Sequence, residues 1–473
     1  MATVLGSGIA SLDATVVNVA LPAIGKDLHA SVAGLQWVLT GYLITLASLI
    51  LIGGSLGDVF GRRRIFRIGV LWFSLASLLC GLAPNLWTLI AARALQGVGG
   101  ALLTPGSLAI IESAFVSEDR SRAIGAWSGF AGIATAIGPF AGGWLVSAVS
   151  WRLIFLLNLP LAAVVLLATR HVPESADPGA DRHIDAVGAA LAVIGLGGAT
   201  YALIEGPSPG PAPLVVILAA IIGVGGLAAF VLFERESAHP MLPVDMFASR
   251  QFTCANLVTV AVYAAIGGIF FLLAVQLQQS LDYSPIAAGA SLLPVTAIML
   301  AFSSRAGQLA ERIGPRIPMT VGPVLVAAGL LLMRHISPGG TYVADVLPAI
   351  VVFAGGLALT VAPLTATVLA AADERRAGVA SGVNNAVARA AGLIAVAILP
   401  AAAGITGSDY RMPEALTAGF HQACLITAGL CLLGAMIAWW GIRNPIGRSE
   451  PIGSEVSCPV DGPPLRHARG VAG

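Results

Sequence analysis

The stretch GGSLGDVFGRRRIF, residues 53–66, packs an aspartate, three adjacent arginines and four glycines between two long hydrophobic runs. Charge is scarce elsewhere. Of the 473 residues, 57% are hydrophobic and 10% charged, against roughly 25% charged in soluble domains, and the mean hydropathy is +0.88. Apolar runs long enough to cross a bilayer as helices, about 20 residues each, recur along almost the whole chain. The chain therefore reads as an all-α membrane protein, with the charged stretch as a short turn between two spans.

Working outward from that turn, spans are expected at roughly 1–22, 35–57, 66–83, 86–111, 123–147 and 151–170, then 185–205 and 213–233, then 253–275, 285–304, 318–335, 343–370, 377–403 and 420–441. This gives fourteen transmembrane helices in five regions. Residues 1–184 form a six-helix bundle and the loop after it, 185–233 two inserted linker helices, and 234–252 an interfacial cytoplasmic loop. Residues 253–442 form a second six-helix bundle, and 443–473 a polar cytoplasmic tail. The chain opens directly into its first span without a basic leader, so no cleavable signal is expected.

Arginine placement orients the spans, because cytoplasmic loops hold the Lys/Arg excess. Arg62, Arg63, Arg64 and Arg67, then Arg120 and Arg122, Arg170 and Arg182, Arg235 and Arg250, Arg312 and Arg316, and Arg375 and Arg376 share one side with the tail arginines. Only Lys26, Arg152, Arg334 and Arg411 are placed opposite. Both termini are expected in the cytoplasm and the chain in the plasma membrane, in contact with the lipid bilayer. The near-zero net charge of +1 gives no basis for a nucleic-acid partner. Lys26 is the sole lysine and does not sit in G-x-x-x-x-G-K-[ST], so the chain has no P-loop. Energy must come from an ion gradient, and no cofactor is expected. The five cysteines show neither paired nor metal-ligand spacing.

The two blocks are related. GSLGDVFGRRR (54–64) aligns without gaps onto GQLAERIGPRI (307–317), matching Gly54, Asp58, Gly61 and Arg63 with Gly307, Glu311, Gly314 and Arg316. Repeated halves mark secondary transporters. Glycines 53, 57 and 61 leave one helical stripe without side chains, where a neighbouring backbone can approach. Asp58 lies near a helix C-terminus, where the macrodipole disfavours an anion, so it needs a cationic partner such as the arginines that follow. Orientation alone would account for the arginines, but not for a second copy of an acid and two glycines at fixed spacing. The group Gly54, Gly57, Asp58, Gly61, Arg62 and Arg63, with Glu311 and Arg316 in the copy, therefore reads as a gating latch.

GSLGDVFGRRRIF resembles the loop signature of the major facilitator superfamily, G-x-L-a-D-r-x-G-r-k, with Val59 in place of its usual basic residue. LDATVVNVALP (12–22), LIAARALQGVGGA (89–101), GPFAGG (138–143) and WRLIFLLNLP (151–160) resemble, in order, further motifs of its fourteen-helix drug:proton antiporter branch, the quaternary-ammonium and multidrug resistance type. Ala134 and Ala162 depart from usual glycines. The resemblance implies a major facilitator fold of two six-helix bundles with two helices between them. It also implies drug:proton antiport by alternating access, and an antiporter role for the kink expected in the fifth span at Gly138, Pro139, Gly142 and Gly143.

Ionisable groups in mid-membrane are costly and mark function. Asp13, flanked by Thr15 and Asn18, is the first candidate for proton coupling. Burial disfavours a charged carboxylate and a nearby arginine favours it, so a carboxylate balanced between the two can load and release a proton. Arg93, with Gln96 one turn on, is its expected partner. Asn18, Gln96, Glu205, Asn384, Asn385 and Arg389, with Trp127 and Phe130, are candidates for the cavity wall, and Glu112, near the cytoplasmic end of the fourth span, is a secondary candidate that could simply face water. Trp37, Tyr42, Trp127 and Phe130 offer rings for a planar or cationic cargo, although Trp37 also suits an interface anchor.

The leading reading is a monomeric proton-coupled exporter of hydrophobic or cationic small molecules. Exchange or uptake of a polar metabolite is the alternative. A membrane-embedded enzyme or sensor is remote, because the chain has neither an H-E-x-x-H pair nor a long polar insert.

Overall fold

The computed structural model describes residues 2–114, 137–176, 184–208, 210–372, 376–406 and 409–444, and these contain helices and no strand. The helices are α1 (Ala2–Asp27), α2 (Val32–Phe60), α3 (Arg62–Gly81), α4 (Leu86–Ala114), α5 (Ile137–Ala148), α6 (Leu153–His171), α7 (Ala186–Glu205) and α8 (Pro213–Glu236). They continue with α9 (Arg250–Gln279), α10 (Pro285–Ile313), α11 (Arg316–His335), α12 (Tyr342–Ala370), α13 (Ala377–Ala402) and α14 (Pro413–Gly441). All but α5, which is described from Ile137 onward, are long and apolar enough to cross a membrane.

Local chemistry sets several of the starts. Free N–H groups at a helix N-terminus need an acceptor, and short polar side chains supply it. Ser31 Oγ accepts from Gly34 N at 3.2 Å ahead of α2. Asp185 accepts from Gly188 N at 2.7 Å ahead of α7. Ser284 does the same for Ala287 N at 3.2 Å, with Pro285 opening α10.

The two halves pack alike. In the first, α4 packs on α2 and α3, while α6 packs on α1 and α3; in the second, α12 packs on α10 and α11, while α14 packs on α9 and α11. The bundles meet mainly where α2 lies along α13, with α1 against α9. Helices α7 and α8 pair with each other, and α7 docks against α2 and α13. Their backbones nearly touch: a Cβ on Gly226 would lie 3.0 Å from Gly195 Cα. Leu214, Ile217, Ile221 and Val224 of α8 are exposed, as a helix bordering lipid requires.

The internal repeat turns out to encode a backbone turn and its anchor. Gly61 has φ +103° and Gly314 φ +85°, a region that costs a side-chain-bearing residue but not glycine. The helix that starts just beyond each glycine is held by a side chain from the segment after the sixth helix of the same bundle. Glu174 Oε1 accepts from Arg63 N at 2.9 Å, and Asn444 Oδ1 accepts from Arg316 N at 3.2 Å. The charges do not repeat in the same way. Asp58 pairs with Arg62 at 2.8 Å, whereas exposed Glu311 has no ion-pair partner among the described residues and Arg316 lies over the Trp439 ring at 4.3 Å. A turn needs its glycine and its anchor in both halves, while the ion pair is dispensable.

The expected bare stripe is narrower than the sequence suggests. A Cβ on Gly53 would lie 2.0 Å from Ala101 O of α4, but on Gly54 or Gly57 it would find ordinary contacts, and on Gly307 open space. Gly53→Ala is therefore expected to lower thermal stability in detergent by an overpacking cost of about 1–3 kcal/mol, while Gly307→Ala, whose Cβ meets open space within a helix, does not lower it. Equal melting temperatures for the two variants would contradict the close approach of α2 to α4.

Candidate functional site

At mid-depth in the first bundle, four helices bring polar side chains to one point. Asp13 (α1) and Arg93 (α4) are each 1% exposed, and Gln96 (α4), Ser77 (α3) and Asn158 (α6) are fully buried. Arg93 Nη1 donates to Asp13 Oδ2 at 2.6 Å, and Gln96 Nε2 and Asn158 Nδ2 both donate to Asp13 Oδ1, at 2.9 and 3.0 Å. The same two amides donate to Ser77 Oγ at 2.8 and 3.2 Å, and Arg93 Nη1 also donates to Gln96 Oε1. Asn158 Oδ1 is buried without a hydrogen-bond partner.

Taking two charges out of water costs several kcal/mol per ion, and their attraction offsets this only with good geometry and further hydrogen bonds. Both conditions are met. The carboxylate takes three donors, and the guanidinium lies 4.4 Å over the Tyr42 ring and 5.8 Å from that of Phe155. Arg93 Nε donates in addition to Val38 O of α2 at 3.1 Å, so one side chain ties the α1 carboxylate to the α2 backbone.

Helix α2 carries this connection to the other bundle. Gln36, one short step along α2 from Val38, is buried and donates to Val396 O at 2.6 Å and Ala397 O at 2.9 Å of α13. Gln278 of α9 donates to Val19 O of α1 at 2.9 Å, and Tyr410 Oη donates to Ala30 O. Among the described residues, every side-chain hydrogen bond between the bundles lies at this end, opposite Asp58. Here α5 also meets α10: a Cβ on Gly143 would lie 2.3 Å from Pro285 O, and one on Gly289 2.0 Å from Pro139 O. Gly138 and Gly142 let α5 approach α1, where a Cβ would lie 2.1 Å from Thr15 Oγ1 and 2.7 Å from Val16 Cγ1. The GPFAGG segment thus joins α5 to both bundles by close packing.

Other expected residues fall elsewhere. Thr15 and Asn18 bond carbonyls of their own helix, at Leu12 (3.0 Å) and Ala14 (3.3 Å), and not Asp13, since residues two and five positions away point off its face. Asn384 links α13 to α9 by donating to Asn256 Oδ1 at 3.1 Å and Thr259 Oγ1 at 2.7 Å. Asn385 is exposed and donates to Ser381 O of its own helix at 3.0 Å. Arg389 is half-buried and has no ion-pair partner among the described residues. Glu205 accepts from Trp37 Nε1 at 2.8 Å at the end opposite Asp58, away from the Asp13 cluster. Arg62 also donates to Ala109 O of α4 at 3.3 Å, and Arg63 to Val172 O at 2.8 Å, so the latch residues knit together helices of one bundle only. Trp127, Phe130, the loop arginines Arg120, Arg122, Arg182 and Arg375, the tail after residue 444 and the side chain of Glu112 lie outside the described residues. Sequence reading missed Ser77 and Asn158. The NLP of WRLIFLLNLP is the signal that could have found Asn158, a polar residue inside an apolar run.

The profile of the Major Facilitator Superfamily matches residues 3–397. The puromycin resistance protein of Streptomyces alboniger is 36% identical over 462 residues, covering 95% of this chain and 92% of that protein. The multidrug resistance protein Stp of Mycobacterium tuberculosis (strain CDC 1551 / Oshkosh) is 37% identical over 401 residues, 84% of this chain and 74% of that one. The methylenomycin A resistance protein of Bacillus subtilis (strain 168) is 34% identical, covering 92% of each chain. Among solved structures, a peptide transporter POT in complex with sulfate superposes with TM-score 0.66 at 16% identity, covering 92% of each chain. A bacterial homologue of the human lysosomal transporter Spinster, inward-facing and unoccupied, gives 0.64 at 18%, over 93% of this chain and 95% of that one. These likenesses share the packing of two six-helix bundles. The chain belongs to the Major Facilitator Superfamily.

Proposed function

We propose that this membrane transporter exports hydrophobic or cationic small molecules in exchange for protons. The observation that carries the reading is the buried Asp13–Arg93 pair, whose arginine also grips the α2 backbone beside the inter-bundle contact of Gln36. The drug resistance named for the relatives from Streptomyces, Mycobacterium and Bacillus supports a drug as the cargo.

The coupling follows from the geometry. A proton on Asp13 removes the charge that holds Arg93, leaving a buried guanidinium whose best response is to move. Asn158, with its spare buried oxygen, can turn its amide to accept the new O–H. A shift of Arg93 loosens its hold on Val38 O, and α2 is the helix through which one bundle grips the other. Protonation thus biases the balance between a molecule sealed at the Gln36 end and one open there. With no P-loop in the chain, the proton gradient supplies the free energy. The Asp58–Arg62 pair and the Arg63–Glu174 contact keep the opposite end of the first bundle rigid while it tilts. The arginine bias supports a cytoplasmic Asp58 end, which makes the hydrogen-bonded Gln36 end the outer one.

Reporter fusions test that orientation: one near Arg182 should report the cytoplasm and one near Arg411 the outside, and the same face for both would overturn it. Gln36→Ala removes two cross-bundle hydrogen bonds and should widen the spin-label distance distribution between residues 33 and 401. An unchanged distribution would show that the seal lies elsewhere. The coupling test uses proteoliposomes with ethidium as cargo. Asp13→Asn should abolish ethidium-driven proton movement, and Arg93→Ala likewise. Arg93→Lys should recover less than about a tenth of the rate, because an ammonium cannot reproduce the guanidinium fork shared by Asp13 and Val38 O. Wild-type proton movement in Asp13→Asn would make Asp13 structural and sink the proposal.

A further inference from the structure

At the end of the molecule opposite Asp58, a cavity of about 500 Å³ lies where α2, α4 and α7 meet α13. It shares no residue with the Asp13 cluster. Trp37 and Tyr201 form one corner, their ring centroids 6.1 Å apart and their planes at 52°. Trp87, 73% exposed, stands at the rim. Glu205 also lines the cavity. The Trp37 indole N–H fixes its carboxylate at 2.8 Å, and no basic side chain pairs with it among the described residues. Most of the remaining wall is apolar, with Ala397 and Ala401 contributed by α13.

A carboxylate with no ion-pair partner among the described residues, held at an indole edge in a largely apolar cavity that three aromatic rings line, is the chemistry that holds an organic cation. The rings attract positive charge through their quadrupoles, the carboxylate supplies the opposite charge, and the low local dielectric strengthens both. An anion would be repelled there, and a neutral molecule would strip water from Glu205 without repaying the cost. The volume suits a drug-sized ligand. We propose that this cavity is a second binding site for hydrophobic monocations, distinct from the coupling site and built by the inserted helix α7. Gln36 lines the cavity and holds α13 through Val396 and Ala397, so the site has walls from both bundles only while this end is closed. A cation seated there braces the closed arrangement.

The test is equilibrium binding of radiolabelled tetraphenylphosphonium to the purified full-length protein in nanodiscs, with no gradient, so it stands or falls independently of export. The wild type should show a saturable site for which neutral triphenylphosphine oxide does not compete. Glu205→Gln should weaken that site about tenfold or more, and Ala401→Phe should remove it by filling the cavity. Unchanged tetraphenylphosphonium binding in either variant, or equal competition by the neutral oxide, would overturn the proposal. Should Glu205→Gln fail to fold, Ala401→Phe and the neutral competitor on the wild type decide the matter. Absent transport with this binding pattern intact would refute the export reading and leave the site standing.

Discussion

A membrane interior cannot carry a lone charge, and the first bundle is arranged around that constraint. Asp13 and Arg93 each depend on the other, and both depend on Gln96, Ser77 and Asn158 to satisfy what the pair leaves over. Removing one partner of such a pair typically costs 3–5 kcal/mol, because an uncompensated charge remains. That penalty holds the cluster together as built. It also fixes the relative placement of α1, α3, α4 and α6, since each contributes a residue that has no alternative partner in hydrocarbon.

Outside the cluster, most of the packing is apolar, and small residues set the distances. Lipid tails are as apolar as leucine, so helix association relies on close backbone contact and a few hydrogen bonds. Gly53 against Ala101, Gly143 against Pro285 and the Gly195–Gly226 contact of the inserted pair are sites of this kind. The last of these joins α7 and α8 into a unit that docks on α2 and α13, and so creates the aromatic cavity around Glu205. The inserted helices therefore wall a cavity at the seam, the proposed binding surface, without entering either bundle's interior.

The two bundles are alike in architecture and unlike in chemistry. Both use a positive-φ glycine followed by a helix whose first N–H groups are held by the segment after the sixth helix, through Glu174 in one and Asn444 in the other. Only the first bundle contains a fully buried ion pair among the described residues. The second offers instead a neutral link between its first and fifth helices, Asn384 to Asn256 and Thr259. The buried pair to which proton coupling is proposed therefore has no ion-pair counterpart among the described residues of the second half.

Much of this was legible in the sequence. Apolar runs of sufficient length in a chain with 10% charge determine a membrane protein and its fourteen helices, because backbone groups in lipid must be satisfied within a helix. The GSLGDVFGRRR repeat determines two related halves, and the rarity of charge singles out Asp13 and Arg93 as candidates for pairing. What the tertiary structure decided is which groups converge. Asn158 reaches Asp13 from 145 positions away and Gln36 reaches α13 from 360, and helical periodicity relates only positions within one helix. In an apolar chain the pattern does not separate a lipid-facing side from an interior-facing one, so Thr15 and Asn18 looked like companions of Asp13 while Ser77 went unnoticed. The repeated acid likewise suggested a repeated ion pair, but the backbone turn is what both halves need. Glu205 read in the sequence as a candidate for the transport cavity. Tyr201 precedes it by one turn of the same helix, but only the docking of α7 against α2 and α13 brings it to Trp37 of α2 and Trp87 of α4, because the distance between a carboxylate and rings on other helices is set by packing and not by their order along the chain.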